Sequence, residues 1–125
     1  PLFGVRIRQS SFAVGSTSRT TFEIDSSGHI YAGGRTPAVS NCGTNPTIIG
    51  NDMAGLITVG SGAPTACVVD FASSWRNPPA CSVGTDYTAD TVLLYSSSTI
   101  NFFSIQGDAI NFANVAHISY ICLGY

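Results

Sequence analysis

The sequence predicts an all-β protein, a β-sandwich of jelly-roll-like character preceded by a short N-terminal β-hairpin, and three features of its 125 residues carry that expectation. Short apolar runs alternate with turns rich in glycine, proline and serine, and none is periodic enough for a convincing helix. Charged residues make up only 10% of the chain while Ser, Thr, Gly and Asn abound, so hydroxyls, amides and backbone must cover most of the surface. Four cysteines stand in this setting, a usage that suits an extracellular or virion protein.

The N-terminal elements come first. Residues 4–8 hold VRIR, the alternation of apolar and basic side chains expected of an edge strand, and GSTS at 15–18 reads as a turn. TTFEI, DSSG and HIYAGG then give the clearest hairpin: Phe22 and Ile24 alternate with Thr21 and Glu23, residues 25–28 turn, and Ile30 continues on the return strand. Residues 33–46 concentrate turn formers with almost no period. The expected organisation is therefore a strand-and-hairpin segment at 1–34, a linker at 35–46 and a sandwich domain at 47–125.

Within the body, strands are expected near residues 47–49, 56–59, 65–71, 81–85, 92–96, 99–105 and 117–122. Leu56, Ile57 and Val59 pair most simply with Val68, Val69 and Phe71 across the GSGAP turn, and SSST at 96–99 makes another hairpin turn. DAINFANVAH, at 108–117, fits neither a strand nor a helix period.

Cys42, Cys67, Cys81 and Cys122 allow three pairings. If 68–71 and 81–83 are neighbouring antiparallel strands, Cys67 and Cys81 fall near one rung, which makes that bridge the preferred one and leaves Cys42 and Cys122 over. Buried thiols in a reducing cytosol are the alternative. No CxxC occurs, and His29 and His117 do not supply close-set ligand pairs, so neither a metal nor another cofactor is expected.

Charge narrows the function classes. There is no lysine; Arg6, Arg8, Arg19 and Arg35 stand with Glu23 and Asp25 in the first 35 residues, whereas Arg76 alone stands against Asp52, Asp70, Asp86, Asp90 and Asp108 in the rest. That leaves no broad cationic face for a phosphate backbone, so nucleic acid is not an expected partner. No apolar run approaches the roughly 20 residues of a membrane span, and insertion is not expected either. The start at Pro1, without an initiator methionine or signal peptide, is expected of a fragment or processed product. Arg6, Arg8 and Arg19 read as solvated, with ion pairs to Glu23 or Asp25 of a neighbouring chain as the alternative.

Two features point to self-association. TVLLYSSSTINFFSI places Leu93, Leu94, Tyr95, Phe102, Phe103 and Ile105 on both faces of its strands, more apolar surface than a half-exposed sheet needs. The N-terminal hairpin is too small to be stable alone and must pack on the body or on copies of itself. A homo-oligomer with an interface drawn from Phe22, Ile24, Ile30, Leu93, Tyr95 and Phe103 is expected, against the alternative of a monomer with a thick two-sheet core.

GNDMAGLITVGSG, ACVVDFASSW, NPPAC and HISYICLGY resemble, in order and spacing, a module found near the C-terminal end of phage tail fibres and related virion proteins. TFEIDSSGHIYAGG resembles the short β-repeats that precede such modules where a fibre shaft meets its tip. The resemblance spans roughly residues 22–125 and rests on Gly50, Asn51, Asp52, Gly55, Gly60, Cys67, Phe71, Trp75, Cys81, Tyr120, Cys122 and Gly124, all scaffold positions. It implies a trimeric β-structured distal domain that terminates a fibre, contacts the host surface and works beside other virion proteins. It hands over no receptor residues, and only a stub of shaft is present.

Candidate chemistry is sparse. Asp86 and Asp90 in TDYTAD read as paired carboxylates for sugar hydrolysis or as calcium ligands, against the plainer reading of two aspartates solvating a turn. Asp52 and Asp108 read as turn acceptors, and no carboxylate or serine sits beside either histidine in a way that makes a triad. Trp75, Arg76 and Asn77, joined by Tyr87, offer an aromatic beside hydrogen-bonding groups, the makings of a glycan or receptor contact; the alternative is that Trp75 plugs the end of the sandwich.

The expected function is thus non-enzymatic: a structural and adhesive domain in the virion or outside the cell, trimeric, binding a host-surface glycan or protein through repeated weak sites. A filament subunit whose residues 2–14 add as a strand to the next subunit is the second reading, and a tail-associated glycan depolymerase the third.

Overall fold

The computed structural model describes residues 11–16, 19–86, 95–107 and 115–125, with side chains at 22–86, 96–107 and 115–125. The chain forms two compact units, Pro1–Gly34 and Arg35–Tyr125. The strand expected at 4–8 and the ambiguous stretch 108–114 lie outside the described residues. Among those described there is no helix.

In the first unit, β1 (Ser11–Ser16), β2 (Arg19–Asp25) and β3 (Ile30–Ala32) make an antiparallel sheet in that order. Asp25 builds the β2–β3 turn: its Oδ1 accepts from the amides of Ser27 and His29 at 2.8 and 2.9 Å, and the Gly28 amide closes on the Asp25 carbonyl at 3.0 Å. Gly15 and Ser16, expected in a turn, belong instead to β1, beyond a register shift at Val14/Gly15. Phe22 and Ile24 are half-buried, while Ile30 keeps 67% and Tyr31 54% of their surface exposed.

The second unit is a β-sandwich. Its strands are β4 (Ala38–Ser40), β5 (Thr47–Gly50), β6 (Ala54–Thr58), β7 (Ala66–Asp70), β8 (Ala80–Thr85), β9 (Tyr95–Ser98), β10 (Phe102–Gln106) and β11 (His117–Leu123). They form two four-stranded antiparallel sheets, ordered β4-β7-β10-β9 and β5-β6-β11-β8. Alternation selects the inner faces: Ile118, Tyr120 and Cys122 of β11 are buried while Ser119, Ile121 and Leu123 point outward. Cys67, Val69, Phe103 and Ile105 of the first sheet meet Ile57, Ile118 and Tyr120 of the second, and Phe103 lies 5.2 Å ring to ring from Tyr120 and 5.7 Å from Phe71. Each such buried side chain contributes about 1.5–3 kcal/mol of transfer free energy.

Several expectations need correction. Residues 35–46 are not a linker: they supply β4, which pairs with β7, and Cys42, which is fully buried. Leu56–Val59 and Val68–Phe71 do not pair, because β6 and β7 lie in different sheets. Nor are β7 and β8 the neighbouring strands on which a Cys67–Cys81 bridge was expected: they lie in different sheets, and each of the two cysteines is bonded elsewhere. The disulfides are Cys42–Cys67 and Cys81–Cys122, the latter joining residues directly opposite in the β8–β11 register. Ser96 to Ser98 are strand residues of β9, and the turn comes one step later, where the Thr99 hydroxyl oxygen accepts from the amides of Asn101 and Phe102. Finally, Phe103 cannot serve an oligomer interface, since the core of its own chain leaves it 0% exposed.

A close approach of main chains anchors the Cys42 segment. The Gly60 amide donates to the Cys42 carbonyl at 2.8 Å, and Thr44 and Ser61 exchange main-chain bonds at 2.8 and 3.1 Å. A Cβ on Gly43 would stand 2.5 Å from the Gly60 oxygen, and its φ of 86° is left-handed, so only glycine fits there.

Candidate functional site

The segment between β7 and β8, residues 71–79, is the longest described connection of the body and carries Trp75, Arg76 and Asn77. It is pinned from several sides. Asp52, in the β5–β6 turn, accepts from the amides of Ala72 and Ser73 at 2.7 and 2.9 Å through its two carboxylate oxygens. The amides of Phe71 and Trp75 donate to the carbonyls of Asn101 and Ile100, both at 2.8 Å, and the Ser74 hydroxyl donates to the Asn101 Oδ1 at 2.7 Å. Pro79 is buried, and its carbonyl accepts from the Ser98 hydroxyl. The local turn acceptor is Asn51, whose Oδ1 takes the amides of Met53 and Ala54 at 2.8 and 3.1 Å; Asp52, expected to cap its own turn, reaches a loop twenty residues ahead instead.

Trp75 is half-buried, edge-on to Phe71 at 5.8 Å between ring centroids, and its six-membered ring leans on Gly124, where a Cβ would stand 3.1 Å away. Its indole Nε1 is enclosed with no hydrogen-bond partner among the described residues. The ring therefore does plug one end of the sandwich, while its outer part joins Arg76, Asn77, Gly124 and Tyr125 around an open groove of about 410 Å³. Asn77 Nδ2 donates to the Tyr125 carbonyl at 3.1 Å, and its Oδ1 accepts from no donor among the described residues. Arg76 is exposed, and no carboxylate of the described residues lies within ion-pair distance of it. Tyr125 keeps 85% of its surface exposed. The groove is thus lined by two aromatic side chains, a guanidinium that pairs with no carboxylate of the described residues, and the Asn77 amide.

Trp75, Arg76 and Asn77 come together as expected, and Tyr87 lies outside the described residues. Tyr125 was not anticipated. Its signal lies in the cysteines: with Cys122 opposite Cys81 and Leu123 opposite Ala80, β11 must run past the residues that precede β8. Of the expected oligomer-interface positions, Leu93 and the Tyr95 side chain also lie outside the described residues.

Both histidines pair with a carboxylate, a relation invisible in the linear sequence. Asp86 accepts from the His117 amide at 3.0 Å and meets its Nδ1 at 2.6 Å; Asp25 meets the His29 Nδ1 at 3.1 Å. These hydrogen bonds favour the ionised carboxylates: the His117 side chain holds Asp86 below the usual aspartate range, and the His29 amide does the same for Asp25. Asp86 is therefore engaged by β11, and Asp90, its expected partner, lies outside the described residues. No group of three or more His, Cys, Asp or Glu gathers among the described residues. Inside, Tyr120 donates its hydroxyl to the Asn51 carbonyl at 2.6 Å, and burial together with the Asp52 charge raises its ionisation well above the ordinary tyrosine value.

A second surface stands out by composition. The strands β5, β6, β8 and β11 contain no Asp, Glu, Lys or Arg, and their outer face exposes Ile49 (66%), Leu56 (38%), Ile121 (56%) and Leu123 (56%). Ile49 faces Leu56 in register, with Ser119 and Gly84 continuing the same row. A shallow hollow of about 210 Å³ opens beside Gly84 and Ile121.

Fold and groove together define an all-β, disulfide-braced sandwich domain with an aromatic and cationic surface site. No protein-family model, no curated protein and no solved structure matches the chain.

Proposed function

We propose that this chain is a non-enzymatic structural and adhesive domain, the trimeric end of a phage tail fibre, which binds a glycan or protein of the host surface. The observation that carries the reading is the groove of Trp75, Arg76, Asn77 and Tyr125. Aromatic walls with hydrogen-bonding groups at their rim suit a pyranose ring, whose apolar face stacks while its hydroxyls bond. The groove is held by a loop anchored to Asp52, Ile100 and Asn101, so little ordering remains for binding to drive.

Self-association is supported by the uncharged outer sheet face, with Ile49 beside Leu56 across β5 and β6 and Ile121 and Leu123 along β11. Three copies would present three weak grooves to one cell, which multiplies avidity without strengthening any single contact. Exposed Ile30 and half-buried Phe22 and Ile24 of the first unit supply apolar surface for the same association. Residues 11–16 pair with β2 of their own chain, which favours a closed assembly over a filament built by donating that segment to a neighbour.

Light scattering on the purified chain tests the assembly: three chains per particle are expected, and Ile121→Arg should dissociate them. Binding of the labelled chain to intact host bacteria tests adhesion, with loss expected in Tyr125→Ala. A chain that binds no susceptible cell is architectural, and release of reducing ends from host polysaccharide would make it a depolymerase.

A further inference from the structure

Arg76 is one of two cations in residues 35–125, against five aspartates in that stretch, and it is the one that lines the groove. An exposed arginine in an acidic protein normally finds a carboxylate or is solvated. Here none of the groove's lining side chains is acidic, and no carboxylate of the described residues pairs with the guanidinium. Asp52, the nearest anchoring carboxylate of this loop, already spends both oxygens on the amides of Ala72 and Ser73. The groove's side-chain polar groups are therefore a planar five-donor fork, the Asn77 amide, whose NH2 already bonds the Tyr125 carbonyl, and a largely exposed phenol, beside aromatic surface.

Extending the adhesive reading, on which the inference rests, we propose that the groove is a subsite for an acidic sugar, a pyranose whose ring carboxylate pairs with Arg76. A guanidinium matches a carboxylate by two parallel N–H bonds, a geometry that an ammonium or a neutral amide does not reproduce. Ring stacking on Tyr125 and the outer part of Trp75 supplies the apolar contact, and the Asn77 Oδ1 accepts from a ring hydroxyl. The indole N–H of Trp75 takes no part, because it is enclosed. The aromatic walls favour a sugar over a linear polyol phosphate, which would satisfy the guanidinium but leave both rings unused.

The chain has a single tryptophan, so Trp75 emission reports the groove directly. Oligogalacturonate, its methyl ester, neutral oligogalactose and glycerol phosphate are titrated into the intact chain at millimolar concentration, alongside Arg76→Gln and Arg76→Lys. Arg76 is exposed and makes no ion pair among the described residues, so both variants should fold as the parent does. Saturable quenching by the acid is expected, with binding about tenfold weaker or worse for the methyl ester and for Arg76→Gln, and partly recovered in Arg76→Lys. Equal binding of acid and ester, or an Arg76→Gln chain that titrates like the parent, overturns the inference. So does glycerol phosphate binding as tightly as the acid. Cell binding measured in parallel separates the two claims: cells bound without any response to the acid sink the acidic-sugar subsite alone, whereas no response to cells or sugars sinks the adhesive reading with it.

Discussion

The Asp52 carboxylate accepts the Ala72 amide at 2.7 Å, so a turn of one sheet holds the loop that leaves the other. With the Ser73 amide on its second oxygen, Asp52 holds the start of the loop that carries the groove. Hydrogen bonds to a charged acceptor are each worth about 1.5–3 kcal/mol net. Asp52→Ala should therefore lower unfolding free energy by about 2 kcal/mol or more, and Asp52→Asn, which keeps one acceptor, by less. Denaturant unfolding reads the loss, and Trp75 emission, shifted to the red and more open to acrylamide, shows that the loop has loosened.

Tyr120 lies over Gly55, its register partner on the neighbouring strand β6. A Cβ at position 55 would meet the Tyr120 hydroxyl at 2.5 Å, its ring at 2.6 Å and the Ile49 carbonyl at 2.6 Å. Gly55→Ala should cost about 1–3 kcal/mol by overpacking, seen as a lower denaturant midpoint at unchanged slope. Tyr120→Phe removes only the bond to the Asn51 carbonyl and should cost about 1 kcal/mol.

The two bridges span 25 and 41 residues. On the chain-entropy account each stabilises the folded state by about 3.5–4 kcal/mol, the longer loop slightly more. Peptide mapping without reduction should recover Cys42–Cys67 and Cys81–Cys122 as linked pairs, and reductant should lower the melting temperature sharply. Recovery of a Cys67–Cys81 peptide would contradict this pairing.

Acid should weaken the Asp86–His117 tie. The folded-state ionisation of Asp86 lies below its ordinary 3.8, so its contribution is complete above that value and is lost as pH falls through the lower folded value. Asp86→Asn should be less stable than the parent near neutral pH, and the gap should close in strong acid. A gap that persists unchanged at the acid end would mean that the carboxylate's charge has no part in it.

The strands were legible where alternation ran for five or more residues, as in HISYICL, and the β2–β3 hairpin was legible because Asp25 and Gly28 demand a turn. What could not be read was which strands lie side by side. β4 has three residues, too few to display a period among turn formers, and its partner β7 is some thirty residues away. The GSGAP turn signal was real but joins strands of different sheets, a distinction local sequence does not encode, and the cysteine pairing failed with it. Trp75, Arg76 and Asn77 were found because three adjacent residues need no tertiary knowledge to be grouped. Tyr125 and the Asp86–His117 pair needed the register of β11.

Cys81–Cys122 ties two neighbouring strands of one sheet, and Cys42–Cys67 ties the stretch that follows β4 to β7. Under tension along the chain, force would pass through sulfur and bypass the residues between each cysteine pair, so those loops cannot pay out even after the core has parted. Against a fully reduced chain the oxidised one is shorter at full extension by about 220 Å. A domain that grips a surface while being pulled would give way by a short step, with both loops still tied.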